Sequence, residues 1–223
     1  MGRIHNFGWR ANLRLALVFL AVFIVTTGAI EAGKASWRFL NAAIPVLAAR
    51  QLNVTRIDLP AAICQNATAI TGWSTPTTNP AVAACVTGTN TQRGVLDFAD
   101  GANTLSAQTQ LLLPADWLAG VDVRLVWFTT ATAGNVVWQV ATICVADAET
   151  GDPAFNTAST VTDAAKGTTL QHNDAAITGL TMTGCAAGET LFLRVFRDPA
   201  NASDTLAATA RLVAVELAIR KGV

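Results

Sequence analysis

The strongest constraint on the fold is a regular alternation of apolar and polar side chains between residues 121 and 145. In the first half of this stretch, apolar side chains occupy every second position: Val121, Val123, Leu125 and Trp127. A period of two is typical of a β-strand that is buried on one face. A small polar loop at 130–135 separates this run from a second one. The pattern predicts a β-hairpin with Trp127 opposite Trp138, an aromatic pair that would fix the register.

The same pattern continues through the part of the chain that follows Gly94. Eight strand-like runs are separated by turn residues: 95–98, 107–113, 121–128, 136–145, 159–162, 176–182, 190–197 and 207–219. Since no amphipathic helix interrupts them, a parallel βαβ architecture is excluded. Residues 94–223 are therefore predicted to form an all-β domain, an antiparallel jelly-roll-like β-sandwich of about eight strands.

The last predicted strand has one apolar face and one mixed face. Its apolar face comprises Val213, Val215, Leu217 and Ile219, and the opposite face comprises Leu212, Glu216 and Arg220. On the strand before it, Arg194 and Arg197 fall on opposite faces, because their positions differ by three, an odd number. We expect one of these two arginines to pair with an acid such as Asp198 or Glu216.

The chain begins with a segment that has the features of an export signal. An apolar run at 15–25 ends in small residues. It is preceded by three basic residues: Arg3, Arg10 and Arg14. This arrangement predicts a secretory signal peptide with Ala29 or Ala35 at the cleavage point. The uncharged stretch of 15–30 is about 24 Å long as a helix, short of the roughly 30 Å hydrocarbon core of a bilayer. The alternative for residues 1–30 is a retained hydrophobic helix, through which the chain would contact a membrane or partner subunits.

Two further segments separate this leader from the predicted sandwich. Residues 31–50 predict a short amphipathic helix, which Pro45 would end or kink. Residues 51–93 are rich in Thr, Ala, Asn and Pro, and predict an extended arm with little regular structure.

Composition limits the partners that the chain can take. Hydrophobic residues make up 52% of the sequence and charged residues 13%, which is enough apolar material for a substantial core. Residues 1–56 carry seven Lys or Arg and one acid, whereas residues 57–223 carry eight and fourteen. The main domain therefore has a net charge near −6, which argues against nucleic-acid binding.

The four cysteines predict disulfides. An even number in a chain with an export signal favours disulfides over a metal site, and the close CxxC or His pairs of a zinc site are absent. Three connectivities are open. The shortest closed loops favour a Cys64–Cys85 bond and a Cys144–Cys185 bond.

The sequence contains no recognisable catalytic or cofactor motif. It has no GxSxG elbow, no phosphate-binding loop and no GxGxxG, so no cofactor is expected. His172 lies in a polar run and predicts a solvated side chain. Three acids in one loop, Asp147, Glu149 and Asp152, predict a solvated turn, although a pair of carboxylates could in principle serve a glycosidase.

Two tryptophans are candidate ligand contacts. Trp73 and Trp117 lie in or beside predicted loops, where an exposed ring could stack on a sugar. Trp127 and Trp138, in contrast, lie on apolar strand faces and are predicted to belong to the core.

Several strings in the β domain resemble a known group of proteins. They are GVLDF (94–98), LLLPADW (111–117), GNVVWQV (134–140), DPAF (152–155), VTD (161–163) and RDPANASDTLAATARLVAVEL (197–217). This pattern resembles small β-sandwich proteins that are encoded among phage virion genes and in scattered bacterial genomes. The resemblance implies a structural or attachment module, often trimeric, and no enzymatic activity. The leader, the 31–93 extension and the cysteines depart from it and favour an exported protein on a cell surface or outside the cell.

Three functional hypotheses follow from the sequence. The first is a non-enzymatic structural subunit, a self-assembling homo-oligomer outside the cell or on a particle. The second is a carbohydrate- or surface-binding module of an exported protein, with Trp73 and Trp117 contacting a surface glycan. The third is a hydrolase that uses the acidic loop.

Overall fold

The computed structural model describes residues 53–222, and these residues form an all-β fold, which confirms the predicted fold class. The strands are β1 (Asn53–Pro60), β2 (Ile63–Gln65), β3 (Thr68–Ile70), β4 (Val82–Thr87), β5 (Gln92–Phe98), β6 (Leu105–Leu112), β7 (Trp117–Phe128), β8 (Asn135–Val145), β9 (Ser159–Ala164), β10 (Asn173–Ile177), β11 (Thr190–Arg197) and β12 (Ala210–Lys221). The predicted leader at 1–30 and helix at 31–50 lie outside the described residues. Within 53–222, no helix has the length and apolarity needed to cross a membrane.

Two antiparallel sheets enclose the core. The six-stranded sheet has the order β10-β7-β12-β5-β4, and β1 pairs with the rest of β12. The four-stranded sheet has the order β6-β11-β8-β9, and β2 with β3 forms a separate small hairpin. The inner faces of both sheets are apolar, and the burial of this apolar surface is the main stabilising contribution.

The predicted hairpin at 121–145 is wrong in its pairing, although both strands exist. β7 belongs to the six-stranded sheet and β8 to the four-stranded sheet, so the chain crosses between layers at 129–134. Trp127 and Trp138 still meet, but across the core, with ring centroids 6.2 Å apart in an edge-to-face arrangement. The reason is that an alternating pattern buries one face of a strand in either sheet and does not identify its hydrogen-bonded neighbour.

The last strand contains a β-bulge, and the predicted faces are therefore wrong at its start. Leu212 is paired with Trp127 and Ala214 with Val126, so Val213 is an extra residue on β12. The bulge reverses the alternation: Leu212 is fully buried in the core, whereas Val213 is partly exposed. Beyond the bulge, the predicted apolar face, from Val215 onward, points inward as expected.

The prediction of an irregular arm at 51–93 is also wrong for its described part. β1, β4 and β5 are strands of the six-stranded sheet, and the segment between β3 and β4 is bound to the edge of β6. There the backbone of Ser74 exchanges two hydrogen bonds of 2.8 Å with that of Gln108. The prolines that suggested irregularity lie where strands tolerate them: Pro60 ends β1, and Pro80 makes an isolated bridge outside the strands.

The β2–β3 hairpin lies close against β5 and is linked to β4 by the predicted Cys64–Cys85 disulfide, with Cα atoms 5.7 Å apart. Cys85 pairs in register with Gly94. A Cβ atom at Gly94 would lie 2.3 Å from the carbonyl carbon of Ala62. Glycine is therefore required at this position for the two backbones to approach.

Candidate functional site

The outer face of the four-stranded sheet carries aromatic and amide side chains next to each other. On β11, the residues alternate strictly: Leu191, Leu193 and Val195 enter the core, while Thr190, Phe192, Arg194 and Phe196 point outward and are half-buried. In register, Phe192 lies between Gln110 of β6 and Ile143 of β8. This face is therefore built from ring faces and hydrogen-bonding groups side by side.

A cleft of about 520 Å³ lies at one end of this face. Its floor is formed by strand residues: Gln110, Val145, Thr190 and Phe192. Its walls are two turns, one after β8 and one before β11, which contribute Ala146, Asp147, Gly151, Ala187, Gly188 and Glu189. Its volume lies in the range of small-molecule sites, and its lining combines one aromatic ring with polar groups.

The two turns have the same construction. In 146–149 and in 186–189, the fourth residue is a glutamate whose backbone N–H points to the first residue's carbonyl at 3.4 Å. The third residue of each turn, Ala148 or Gly188, has positive φ, +64° and +82° respectively. The predicted disulfide between Cys144 and Cys185 ties the two turns together with a Cα–Cα distance of 5.0 Å. The walls of the cleft are thus covalently linked.

The carboxylates around the cleft are largely used by the turns themselves. Glu189 Oε2 accepts a hydrogen bond of 2.7 Å from the backbone N–H of Ala186, and Glu149 Oε2 accepts one of 2.9 Å from Ala146. Asp147 contributes the remaining carboxylate of the lining. Among residues 53–222, no group of three or more His, Cys, Asp or Glu side chains is placed to hold a metal ion.

Arg194 lies at the centre of the same face, between two aromatic rings. Its guanidinium carbon is 4.3 Å from the ring centroid of Phe155 and 4.5 Å from that of Phe196, within the range of cation–π attraction. Phe155 lies in the connection between β8 and β9. The residue after it, Asn156, donates its backbone N–H to the carbonyl oxygen of Thr142 at 2.9 Å. Burial lowers the pKa of Arg194.

The outer face of the six-stranded sheet has a different character, because its charges neutralise one another. Glu216 on β12 is bonded by Arg56 on β1 and by Arg124 on β7, the latter at 2.6 Å. Arg124 also reaches Asp174 on β10 at 3.3 Å. The hydrogen bond from Arg124 lowers the pKa of Glu216, and the bond from Arg56 adds to this effect. These ion pairs form a charge ladder across β1, β12, β7 and β10.

The two predicted tryptophan contacts lie away from the cleft. Trp73 is 6% exposed and its Nε1 donates to Pro60 O at 3.0 Å, so it is a core residue and offers no broad face for stacking. Its edge borders an apolar groove of about 400 Å³ beside the β2–β3 hairpin. Trp117 is half-buried at the start of β7 and packs against the core. The structure brings neither ring to the cleft.

Two other expectations concern single side chains. His172 is exposed, as expected, and it stacks on Phe128 with ring centroids 5.9 Å apart. Arg197 does pair with an acid, but the partners are Asp204 and Asp100 and neither of the two acids named from the sequence. The reason is that Arg197 points into the core, where the 198–209 loop folds back over it.

The residues that the sequence analysis missed are Gln110, Phe155 and Phe192. A signal was present in β11, where Phe192 and Phe196 share the polar face of the strand with an arginine. Aromatic rings on an otherwise polar strand face indicate either contact with another element or a binding surface.

No family model matches this sequence, and no curated protein matches it. Several solved structures overlap its fold. The CBM22-1 xylan-binding domain of Xyn10C from Paenibacillus barcinonensis is 11% identical, with a TM-score of 0.42 over 78% of this chain and 99% of that domain. A CBM28 module specific for non-crystalline cellulose is 9% identical, with a TM-score of 0.41 over 68% and 89%. The family 11 carbohydrate-binding module from Clostridium thermocellum, in complex with a β-1,3-1,4-mixed-linked tetrasaccharide, is 9% identical, with a TM-score of 0.38 over 75% and 89%. At these identities and TM-scores, the ligands of those modules do not identify a ligand for this chain.

Proposed function

We propose that this chain is a non-enzymatic carbohydrate-binding module that acts outside the cell and holds an oligosaccharide on the outer face of its four-stranded sheet. The observation that carries the proposal is the cleft, in which the Phe192 ring lies beside the Gln110 amide and between two fixed turns. An aromatic face can cover the apolar face of a sugar, while an amide both donates hydrogen bonds to its hydroxyls and accepts them, and a carboxylate accepts them. The two disulfides support a location in an oxidising compartment.

Binding is favoured over hydrolysis by the state of the acids at the cleft. A glycosidase needs two carboxylates that flank the scissile bond and are available for proton transfer or attack. Glu189 instead accepts a backbone hydrogen bond within its own turn. We therefore expect the full chain to leave an oligosaccharide unchanged after prolonged incubation, as measured by chromatography of the products.

A glycan array probed with the full chain tests the proposed function. Phe192→Ala should weaken any binding by about 2- to 10-fold, the range expected for the loss of one aromatic contact. Leu118→Ala is the matched control, since Leu118 is an apolar side chain that is 49% exposed on the other sheet. Absence of binding to every glycan, or equal loss in both variants, would contradict the proposal.

Self-assembly remains a second proposal, and one feature favours it. β4 forms one edge of the six-stranded sheet and exposes 59% of Val82. An exposed edge with an apolar side chain can pair with a second copy. Light scattering of the full chain and of Val82→Lys tests this: a wild-type oligomer that the variant converts to a monomer supports assembly through β4, whereas a wild-type monomer contradicts it.

A further inference from the structure

Arg194 differs from most arginines of the described chain in having no acidic partner. Five of the seven arginines in residues 53–222 lie within 4.0 Å of a carboxylate: Arg56, Arg124, Arg197, Arg211 and Arg220. Arg93 and Arg194 do not, and Arg93 lies on the six-stranded sheet, where it hydrogen-bonds to Thr91. Arg194 is thus the one arginine on the outer face of the four-stranded sheet whose charge no carboxylate of the described chain balances.

The cross-strand neighbours of Arg194 and the two rings beside it are all uncharged. Its cross-strand neighbours are Gln108 and Ala141, and the rings of Phe155 and Phe196 enclose its guanidinium group. The Nε atom is buried and has no hydrogen-bond partner within the described residues. A half-buried cation in such a site loses hydration without gaining a counter-ion, and an anionic ligand would supply one.

The position of Arg194 relative to the cleft indicates how a ligand would lie. Thr190, on the cleft floor, is four residues away on the same strand face, which corresponds to about 13 Å. Asp147 and Glu189 lie at the cleft end and would repel a ligand carboxylate there. A charged sugar would therefore be placed at Arg194, with neutral sugars continuing into the cleft.

We infer, building on the proposed carbohydrate-binding function, that the preferred glycan is anionic and carries a carboxylate, as a uronic acid does, which Arg194 binds through its guanidinium group. The cross-strand neighbour Ala141 has a small side chain, and the ring centroids of Phe155 and Phe196 lie 4.3 and 4.5 Å from the guanidinium carbon. Paired N–H donors in a fixed plane match the two oxygens of a carboxylate.

Titration calorimetry with matched ligands tests this inference. The full chain is titrated with oligogalacturonate and with its neutral methyl ester, and separately with glucuronoxylan fragments and their carboxyl-reduced form. We expect the acidic member of at least one pair to bind about tenfold more tightly, as for a hydrogen bond to a charged group. This preference should shrink as salt is added.

Variants at Arg194 identify the group responsible. Arg194→Met keeps an apolar stem between the two rings and should abolish the preference for the acid while retaining affinity for the neutral member. Arg194→Lys should keep part of the preference. Thermal unfolding of each variant checks that the fold is retained. The comparison of the acid with its methyl ester uses the unaltered chain, so it tests the inference even where a variant does not fold.

The outcomes separate the two proposals. Equal or tighter binding of the neutral members, or an acid preference that survives in Arg194→Met, would overturn the inference and leave carbohydrate binding standing. Failure to bind any of these four ligands or any glycan of the array would overturn both.

Discussion

Arg197 and Asp204 form a bidentate ion pair inside the protein, with Nη2–Oδ1 at 2.8 Å and Nε–Oδ2 at 3.1 Å. The side chains are 0% and 1% exposed. Arg197 also donates to the carbonyl oxygens of Phe98, Leu206 and Ala208, while Asp204 accepts the backbone N–H of Val137. This cluster joins β5, β8 and β11 to the loop before β12, so it links the two sheets at one end of the core.

Breaking this pair should destabilise the fold strongly. Asp204→Asn leaves the buried Arg197 cation with only the half-exposed Asp100, at 3.4 Å, as a counter-ion, and we expect the free energy of unfolding to fall by about 3–5 kcal/mol. Asp152→Asn, in an exposed loop, should change it by less than about 0.5 kcal/mol. Urea unfolding followed by tryptophan fluorescence measures both, and similar losses in the two variants would argue against the role of the pair.

Gly94 should be intolerant of even one methyl group. Gly94→Ala places a Cβ against the backbone of Ala62, and overpacking of this kind costs about 1–3 kcal/mol. At Gly101, an added Cβ would have no heavy atom within 4 Å, so Gly101→Ala should be nearly neutral. Denaturant midpoints of the two variants check the difference, and a neutral Gly94→Ala would show that the β2–β3 hairpin does not need its close approach to β5.

The two disulfides should contribute comparably to stability but differently to binding. Loop-closure entropy predicts losses of about 3 kcal/mol for Cys64→Ser with Cys85→Ser and about 4 kcal/mol for Cys144→Ser with Cys185→Ser. The second double variant should also weaken glycan binding, because it releases the two turns that form the cleft walls. The first is its control, and equal affinity in both double variants would contradict a role for the Cys144–Cys185 bond in shaping the cleft.

Glu216 should make stability depend on pH in the acid range. Its folded pKa is lowered, chiefly by the hydrogen bond from Arg124, relative to an unfolded value of about 4.3. The stabilising contribution is therefore fully present above that unfolded value and is lost as the pH falls through the folded pKa. Glu216→Gln should flatten the decline in the free energy of unfolding between about pH 5 and pH 3. An unchanged slope would show that the charge ladder does not contribute to acid stability.

The positions of most strands could be predicted from the sequence, but the pairing of the strands within the sheets could not. Alternation placed seven of the eight strands after Gly94, with β11 correct at both ends, because burial on one face requires that pattern wherever the strand lies. The strand predicted at 176–182 overlaps β10 (Asn173–Ile177) in only two residues. The partner of each strand depends on the path of the connections, and the assumed 121–145 hairpin failed for that reason. The bulge at Val213 and the strands that form within the proline-containing segment 51–93 also depend on tertiary contacts.

Less of the candidate site than of the fold could be predicted from the sequence. Loop length was sufficient to predict both disulfides, and the outward positions of Phe192 and Arg194 follow from alternation on β11. The contact between Arg194 and Phe155 depends on the path of the irregular connection at 146–158. No periodic pattern in the sequence predicts that path. Exposure of Trp73 was inferred from its place in a polar stretch, but backbone pairing with β6 brings that stretch onto the core.

Oligosaccharide binding to the outer face of the four-stranded sheet is the proposed function. Two-dimensional NMR of the isotope-labelled full chain, titrated with the tightest ligand from the array, tests it most directly. The largest amide shifts should cluster at Gln110, Thr190, Phe192 and the turns at 146–149 and 186–189, while amides around Arg124 and Glu216 should remain unchanged. Shifts concentrated on the six-stranded sheet or around Trp117, with the cleft unaffected, would contradict it.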